Sequence, residues 1–123
     1  MTQPLTDPAE GCVDLQFALQ GQVVPLDYAD ALWHAVREVL PWLEAEAHAG
    51  IHPLSGLSPG VAADEWYLSR RSRLTLRVDR AHVAAAQALV GTRLRLADTL
   101  IEVGTAQCRE LAHSPVLHAK FVA

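Results

Sequence analysis

The chain has 123 residues, which is long enough for one domain with a hydrophobic core and too short for two independently folded ones. Half of the residues are hydrophobic and 20% are charged, which excludes a disordered tail, a collagen-like repeat and a low-complexity linker. No apolar run approaches the roughly 20 residues of a membrane span, and the polar N-terminus is unlike a secretory or organellar leader. We therefore expect a cytoplasmic protein without a membrane anchor.

The net charge of −4 argues against general attraction to nucleic acid, but the charges are unevenly distributed. Residues 1–66 hold ten carboxylates and one basic residue, whereas residues 67–123 hold nine basic residues and four acids. The second part is therefore locally cationic, about +5. Its densest basic cluster is Arg70, Arg71 and Arg73, followed by Arg77 and Arg80. A solvated strand face and an anion-binding surface both fit this cluster.

The first predicted elements are a strand and an amphipathic helix. From Val13 to Gly21, apolar and polar residues alternate, which predicts a strand with one buried face. After a short loop, Asp27 is the predicted N-cap of a helix that Pro41 kinks or restarts and that continues, bent, towards Ala47. The apolar positions of this helix recur at helical spacing: Tyr28, Leu32, Ala35, Val36, Val39 and Leu43.

The middle of the chain is predicted to hold an ordered loop and then one or two strands. Residues 48–60 are rich in glycine, proline and serine, which is typical of a loop. Alternation returns over residues 65–68 and 73–78, either as one long strand or as two strands joined by a bend. In a continuous strand, Arg71 would lie on the polar face, and Arg70 would point towards the core unless a bulge or strand edge intervened.

The rest of the chain is predicted to form a second helix followed by strands. Asp79 is the predicted cap and Gly91 the predicted end of this helix, and its apolar stripe is Val83, Ala86, Leu89 and Val90. Strands follow on both sides of a turn at Asp98 and Thr99, and further extended segments are predicted over residues 106–111 and 116–122.

The element order predicts an α+β protein of ferredoxin-like type, β-α-β-β-α-β. Its antiparallel sheet would carry two helices on one face, and the polar faces of the first strand and the arginine-rich strand would face solvent. We expect a flexible leader over residues 1–11 and a single domain over residues 12–123.

Two cysteines and six histidines are the first candidates for chemistry. Cys12 and Cys108 are far apart and form no CxxC pair, which predicts ordinary buried or half-buried thiols. His34 and His82 lie on polar positions of the predicted helices, and we interpret both as solvated. His113, in a turn, and His118, in the last predicted strand, have no evident partner. No GxSxG motif and no glycine-rich phosphate loop is present, so no cofactor is predicted.

His48 and His52 share the glycine- and proline-rich loop. Their spacing resembles a helical pair of metal ligands, but Gly50 and Pro53 disfavour a helix and no Glu follows His48, so we predict no metal site. A loop histidine beside a cationic strand is suited to acid–base catalysis on a phosphodiester. In RNA the 2′-hydroxyl can attack phosphorus without a metal, and arginines would stabilise the charge on the phosphoryl oxygens.

Three segments together resemble a known family: residues 40–43 (LPWL), 50–54 (GIHPL) and 68–74 (LSRRSRL). In this order, after a strand and a helix, they are similar to the CRISPR-associated pre-crRNA-processing endoribonucleases of the RAMP superfamily, in the subfamily first described from myxobacterial loci. The resemblance covers roughly residues 12–123. The usual second half of the family, with its glycine-rich loop, is absent from this sequence.

The resemblance implies a ferredoxin-like, RRM-related fold and cleavage of the CRISPR repeat transcript without a metal, with a 2′,3′-cyclic phosphate at the new end. It implies that His52, with His48 as the competitor, is the general acid and base. The residues implied to contact RNA are Arg70, Arg71, Arg73 and Arg77.

Two other functions fit the same residues. One is a non-catalytic RNA-binding or assembly module with this fold, and the other is a ferredoxin-like domain that dimerises through its open sheet face and binds a metabolite. The expected partners are CRISPR repeat RNA, other proteins of a CRISPR effector complex and, for a dimer, a second copy of the chain.

Overall fold

The computed structural model describes residues 11–46, 49–61 and 64–110. In this part of the chain, a five-stranded sheet has the order β3-β6-β1-β8-β7, formed by β1 (Cys12–Gln20), β3 (Gly50–Ile51), β6 (Arg73–Asp79), β7 (Arg93–Leu96) and β8 (Thr99–Glu110). A smaller sheet has the order β2-β5-β4, formed by β2 (Val23–Pro25), β4 (Ser58–Pro59) and β5 (Glu65–Tyr67). All paired strands are antiparallel. Together with two α-helices, these sheets confirm the predicted α+β class.

β1 is the central strand of the larger sheet, and its alternation supplies one fully apolar face. The side chains of this face are at most 4% exposed: Val13, Leu15, Phe17 and Leu19. On the opposite face, Asp14 lies directly across from Arg77 of β6. A bulge shifts the register with β8, where Phe17 pairs with Ala106 and Leu19 with Val103. The central strand therefore presents a core face and a polar face, as its sequence predicts.

The first helix, α1 (Ala29–Val39), ends before Pro41, and a 3₁₀ turn (Pro41–Ala45) follows. Pro41 thus interrupts the helix as predicted. The predicted cap at Asp27 is wrong, because Tyr28 is the N-cap residue and no side chain caps this helix. The Tyr28 hydroxyl accepts a 2.8 Å hydrogen bond from the backbone N–H of Leu54, so a tertiary contact holds Tyr28 where the helix starts.

The second helix is shorter than predicted. α2 (Val83–Ala86) is a single α-helical turn between 3₁₀ turns at Arg80–His82 and Gln87–Leu89. Asp79 caps this segment as predicted, because its carboxylate accepts a 2.8 Å hydrogen bond from the N–H of Ala81. Val90 is wrongly predicted as part of the buried stripe. It adopts an extended conformation and is 37% exposed, because the helical turns end at Leu89.

The helices and strands enclose one hydrophobic core. Buried side chains of α1 and of the second helical segment, among them Leu32, Val36, Ala86 and Leu89, belong to the same cluster as the apolar face of β1. The helices therefore cover that face of the five-stranded sheet and leave the polar face of β1 uncovered by this core.

The chain between β7 and β8 turns at residues 97 and 98, one residue earlier than predicted, with Ala97 at a positive φ of 58°. β8 is one continuous bulged strand rather than two segments. Residues 1–10 of the leader predicted over residues 1–11, the predicted strand at 116–122, His113 and His118 lie outside the described residues. None of the helices described is long and apolar enough to cross a membrane.

Candidate active site

His52 lies at the edge of the five-stranded sheet, directly after β3. Its backbone N–H donates a 3.0 Å hydrogen bond to the carbonyl of Thr75 in β6. Pairing between β3 and β6 thus extends by one residue and fixes the backbone of His52. The side chain is 30% exposed, so the ring is both held by the sheet and accessible to a ligand.

The ring of His52 belongs to what we call the sheet cluster, which is Asp14, His52 and Arg77. Nε2 of His52 lies 3.5 Å from Oδ1 of Asp14. Nε of Arg77 donates to the same oxygen at 2.9 Å, and one of its terminal nitrogens donates to Oδ2 at 3.1 Å. The Asp14 and Arg77 side chains are 20% and 15% exposed. Three adjacent strands thus bring one imidazole, one carboxylate and one guanidinium into contact.

The electrostatics of the sheet cluster keep Asp14 charged. Burial by itself would raise the pKa of this carboxyl, but the contacts with His52 and Arg77 and the positive charge of Arg77 together outweigh that effect and lower the pKa. Asp14 is therefore a carboxylate at neutral pH, and it faces the Nε2 side of the imidazole.

Arg70 and Arg71 lie on a tight turn that we call the arginine turn, residues 69–72, which connects β5 to β6. The turn is closed by a 3.1 Å hydrogen bond from the N–H of Ser72 to the carbonyl of Ser69. Both serine hydroxyls also donate to the carbonyl of Gly56, at 3.1 and 3.0 Å. Ser72 is fully buried. The backbone of the turn is therefore anchored to the loop that follows His52.

Gly56 makes this anchoring possible. It has a φ of +74°, and a Cβ built on it would lie 2.5 Å from the carbonyl oxygen of Arg71. The positive φ favours glycine, and a residue with a side chain could not approach the backbone of Arg71 this closely. On the other side of Gly56, Ser55 and Arg73 exchange two backbone hydrogen bonds of 3.2 Å, so the loop and the start of β6 form one rigid unit.

The arginines at this end of β6 differ in their partners. Arg70 and Arg71 are exposed, and their guanidinium groups make no hydrogen bond or ion pair with any described residue. The Arg73 guanidinium donates to the backbone carbonyls of Arg70 and Ser72, both at 2.8 Å. An open groove beside the turn is lined by Gly56, Leu57, Ser58, Ser69, Arg70 and Arg71.

These positions decide between the two predicted strand arrangements. β5 and β6 are separate strands joined by the arginine turn, so the alternative of one long strand is wrong, and Arg71 does not share a strand face with Arg73 and Arg77. The turn also gives Arg70 an exposed position, because the residues before β6 are no longer bound to strand alternation. Arg77 is 15% exposed and is paired with Asp14.

Two further histidines are described. His34 is exposed on α1, and its Nδ1 lies 3.0 Å from the carbonyl oxygen of Asp30, in agreement with the predicted solvated position. The same prediction for His82 is wrong. Its ring stacks on Trp42 with 4.8 Å between the ring centroids, and its Nδ1 lies 3.4 Å from Oε2 of Glu46. Helical position alone did not reveal this contact, because Trp42 and Glu46 come from a segment far away along the chain.

The remaining predictions concern His48, the two cysteines and a metal site. His48 lies outside the described residues. Cys12 is buried, and Cys108 is exposed rather than half-buried. Burial, followed by the nearby charge of Asp79, raises the pKa of the Cys12 thiol. Within residues 11–46, 49–61 and 64–110, no three His, Cys, Asp or Glu side chains are grouped as metal ligands would be.

Asp14 is not among the site residues predicted from the sequence, although the structure places it against His52. One signal was available: Asp14 lies on the polar face of the first strand, and that face was predicted to be on the same side as the polar face of the arginine-rich strand. The pairing of β1 with β6 was not visible in the sequence, so no partner could be assigned to Asp14.

Known proteins match this chain over most of its length. A family model described as Cas6 Crispr matches residues 13–123. The chain belongs to the Cas6 family. It is 34% identical over 110 residues to the CRISPR-associated endonuclease Cas6 of Myxococcus xanthus (strain DK1622), an alignment that covers 89% of this chain and 46% of that protein. This confirms the resemblance found in the sequence, and the chain spans about half the length of its Cas6 relative.

The Cas6 match includes both parts of the candidate site. The sheet cluster and the arginine turn lie within the matched residues 13–123, and both belong to the elements that pack around β1 and β6. The whole candidate site therefore lies within the segment that matches the Cas6 family.

Proposed function

We propose that this chain acts in the processing of CRISPR repeat RNA, as a metal-independent endoribonuclease with His52 as its general acid and base. The observation that carries the proposal is that His52 and the arginine turn lie along the same edge strand pair, β3 and β6. Thr75, which binds the His52 backbone, is four residues from Arg71 along the chain, a separation of at most roughly 14 Å in extended chain. A short stretch of RNA can contact both.

In the proposed reaction, the 2′-hydroxyl of the RNA attacks the adjacent phosphorus. His52 takes the proton from that hydroxyl, the bond from phosphorus to the 5′-oxygen breaks, and His52 gives the proton to the leaving 5′-oxygen, so that the products are a 2′,3′-cyclic phosphate and a 5′-hydroxyl end. An imidazole suits this role because it can give and take a proton near neutral pH.

The arginine turn is proposed as the phosphate-binding surface. Arg70 and Arg71 present guanidinium groups to solvent from a backbone anchored by Gly56, Ser69 and Ser72, so they can bind phosphoryl oxygens without ordering a flexible loop. Arg73 supports the turn and adds positive charge beside it. Arg77 adds its charge at the sheet cluster, where Asp14 holds it.

We also propose that the domain is ferredoxin-like and RRM-related. In that fold, the four main strands have the order 2-3-1-4 read across the sheet, and here β3, β6, β1 and β8 follow that order, with helices after the first and third of them in the chain. We expect the protein to act in the cytoplasm, together with its RNA.

The test is cleavage of CRISPR repeat RNA by the purified chain in EDTA. We expect a product ending in a 2′,3′-cyclic phosphate, and for His52→Ala a loss of rate of roughly 100-fold or more, the scale of general acid–base catalysis. His34→Ala is the matched control, because His34 is exposed on α1, and its rate should equal that of the wild type. Cleavage that disappears in EDTA, or that survives in His52→Ala, would contradict the mechanism.

A second candidate function is RNA binding without cleavage, which is favoured by the exposed guanidinium groups of Arg70 and Arg71 on an anchored turn. It predicts that the chain binds repeat RNA but leaves it intact. In either case we expect Arg71→Ala to weaken binding and to lower the slope of log affinity against log salt by roughly one, because one phosphate contact is lost. Arg37→Ala is the control, because the Arg37 guanidinium is already paired with Glu44.

A further inference from the structure

We infer that Asp14 is a positioning residue that fixes the tautomer of His52, with the proton on Nε2 and with Nδ1 as the atom that exchanges a proton with RNA. The inference deepens the proposed function and depends on it for the role of Nδ1. Asp14 itself acts through His52 and is not proposed to touch the substrate.

The geometry distinguishes the two ring nitrogens. Nε2 of His52 lies 3.5 Å from Oδ1 of Asp14, and no described residue makes a polar contact with Nδ1. The distance is long for a strong hydrogen bond, so the effect is chiefly electrostatic. A carboxylate attracts an N–H and repels a ring lone pair, and the tautomer of a histidine follows from the contact that one of its nitrogens makes.

Asp14 can exert this effect because it is fixed and charged. Arg77 binds both of its oxygens, at 2.9 and 3.1 Å, and β1 and β6 hold the two residues in register. The carboxylate therefore cannot rotate away from His52 without breaking two hydrogen bonds. The backbone of His52 is held by Thr75, so both partners are anchored.

His34 provides an internal reference with the opposite arrangement. Its Nδ1 lies 3.0 Å from the carbonyl oxygen of Asp30, and a carbonyl can only accept a hydrogen bond. His34 is therefore expected to carry its proton on Nδ1, whereas His52 carries it on Nε2. One spectrum of the protein will report the tautomers of both residues.

The experiment is long-range ¹H–¹⁵N NMR of the ¹⁵N-labelled full chain at alkaline pH without RNA, with the His52 signals assigned by their loss in His52→Gln. We expect a protonated Nε2 and an unprotonated Nδ1 for His52. In Asp14→Ala, the fraction of the Nε2–H form should fall. In a parallel cleavage assay, kcat of that variant should fall at least tenfold while KM stays within twofold.

Glu102→Gln is the matched control, because it removes one exposed carboxylate from the same sheet opposite Gln20, roughly 20 Å along β1 from Asp14. It should change neither the His52 spectrum nor kcat. A wild-type His52 with the proton on Nδ1, or a His52 spectrum unchanged in folded Asp14→Ala, would overturn the inference. If Asp14→Ala does not fold, the position of the proton on His52 in the wild-type spectrum tests the inference. Absence of cleavage by the wild type would overturn the proposed function, while the spectrum would still decide the tautomer.

Discussion

The sheet cluster and the arginine turn both carry arginines, one within β6 and the others in the turn that precedes it, yet their charges are held in different ways. In the sheet cluster, Arg77 is 15% exposed and bound to Asp14, so each charge has a fixed partner. In the arginine turn, the backbone is anchored and the guanidinium groups of Arg70 and Arg71 extend into solvent. Paired charges in fixed geometry suit proton transfer, and unpaired charges on a rigid turn suit phosphate binding.

The greatest loss of stability is expected when the arginine turn is disrupted. In Gly56→Ala, the new Cβ would lie 2.5 Å from the Arg71 carbonyl oxygen at a φ of +74°, so strain and steric overlap add, and we expect the free energy of unfolding to fall by about 3 kcal/mol. Chemical denaturation measures this change. RNA affinity should fall as well, because the turn must move.

Gly91→Ala is the control for that substitution. Gly91 also has a positive φ, +86°, but no atom lies within 4 Å of a Cβ built on it, so only the backbone strain of about 1 kcal/mol is expected. Equal losses in the two variants would show that the close approach of Gly56 to Arg71 does not constrain the turn.

The next effect concerns the ion pair of the sheet cluster. In Arg77→Met, Asp14 loses both of its hydrogen bonds from the guanidinium while it stays mostly buried, and we expect the free energy of unfolding to fall by about 2 kcal/mol. A double-mutant cycle with Asp14→Asn measures the coupling between the two side chains. Losses that add without coupling would contradict a stabilising pair.

A smaller effect is expected on the stability of the protein at acidic pH. The pKa of Asp14 is lower in the folded protein than its ordinary value of 3.8, so the unfolded chain takes up the proton first as the pH falls. The stabilisation is present above the unfolded pKa and is lost as the pH falls through the folded pKa. We expect Asp14→Asn to lose less stability than the wild type between roughly pH 5 and pH 2, measured by denaturation at each pH. Parallel curves would contradict this.

The weakest effect is expected for an ion pair of similar geometry at the surface. Arg80 and Glu110 form two hydrogen bonds of 2.7 Å, but both side chains are largely exposed, so water and salt weaken the attraction. Glu110→Gln should leave the denaturation midpoint unchanged within error. A loss as large as that of Arg77→Met would show that burial does not set the difference between the two pairs.

Local patterns predicted much of the fold. The alternation in β1, the interruption at Pro41, the cap at Asp79 and the end at Gly91 all depend on residues close together in sequence, where backbone geometry and side-chain period are decisive. Among the predictions that failed are the cap at Asp27 and the solvated position of His82. There, tertiary contacts decide the outcome, such as the hydrogen bond from Leu54 to Tyr28 and the stacking of His82 on Trp42.

In the candidate site too, some features were predicted from the sequence and others were decided by the tertiary structure. The order of residues along the chain was sufficient to identify the available groups, a loop histidine and a cluster of arginines, and three short segments indicated the Cas6 family. Folding was needed to place Asp14 against His52, to enclose Arg77, and to project Arg70 and Arg71 from a turn. Those outcomes depend on strand register and on contacts between residues up to 63 positions apart, and no local periodicity encodes such contacts.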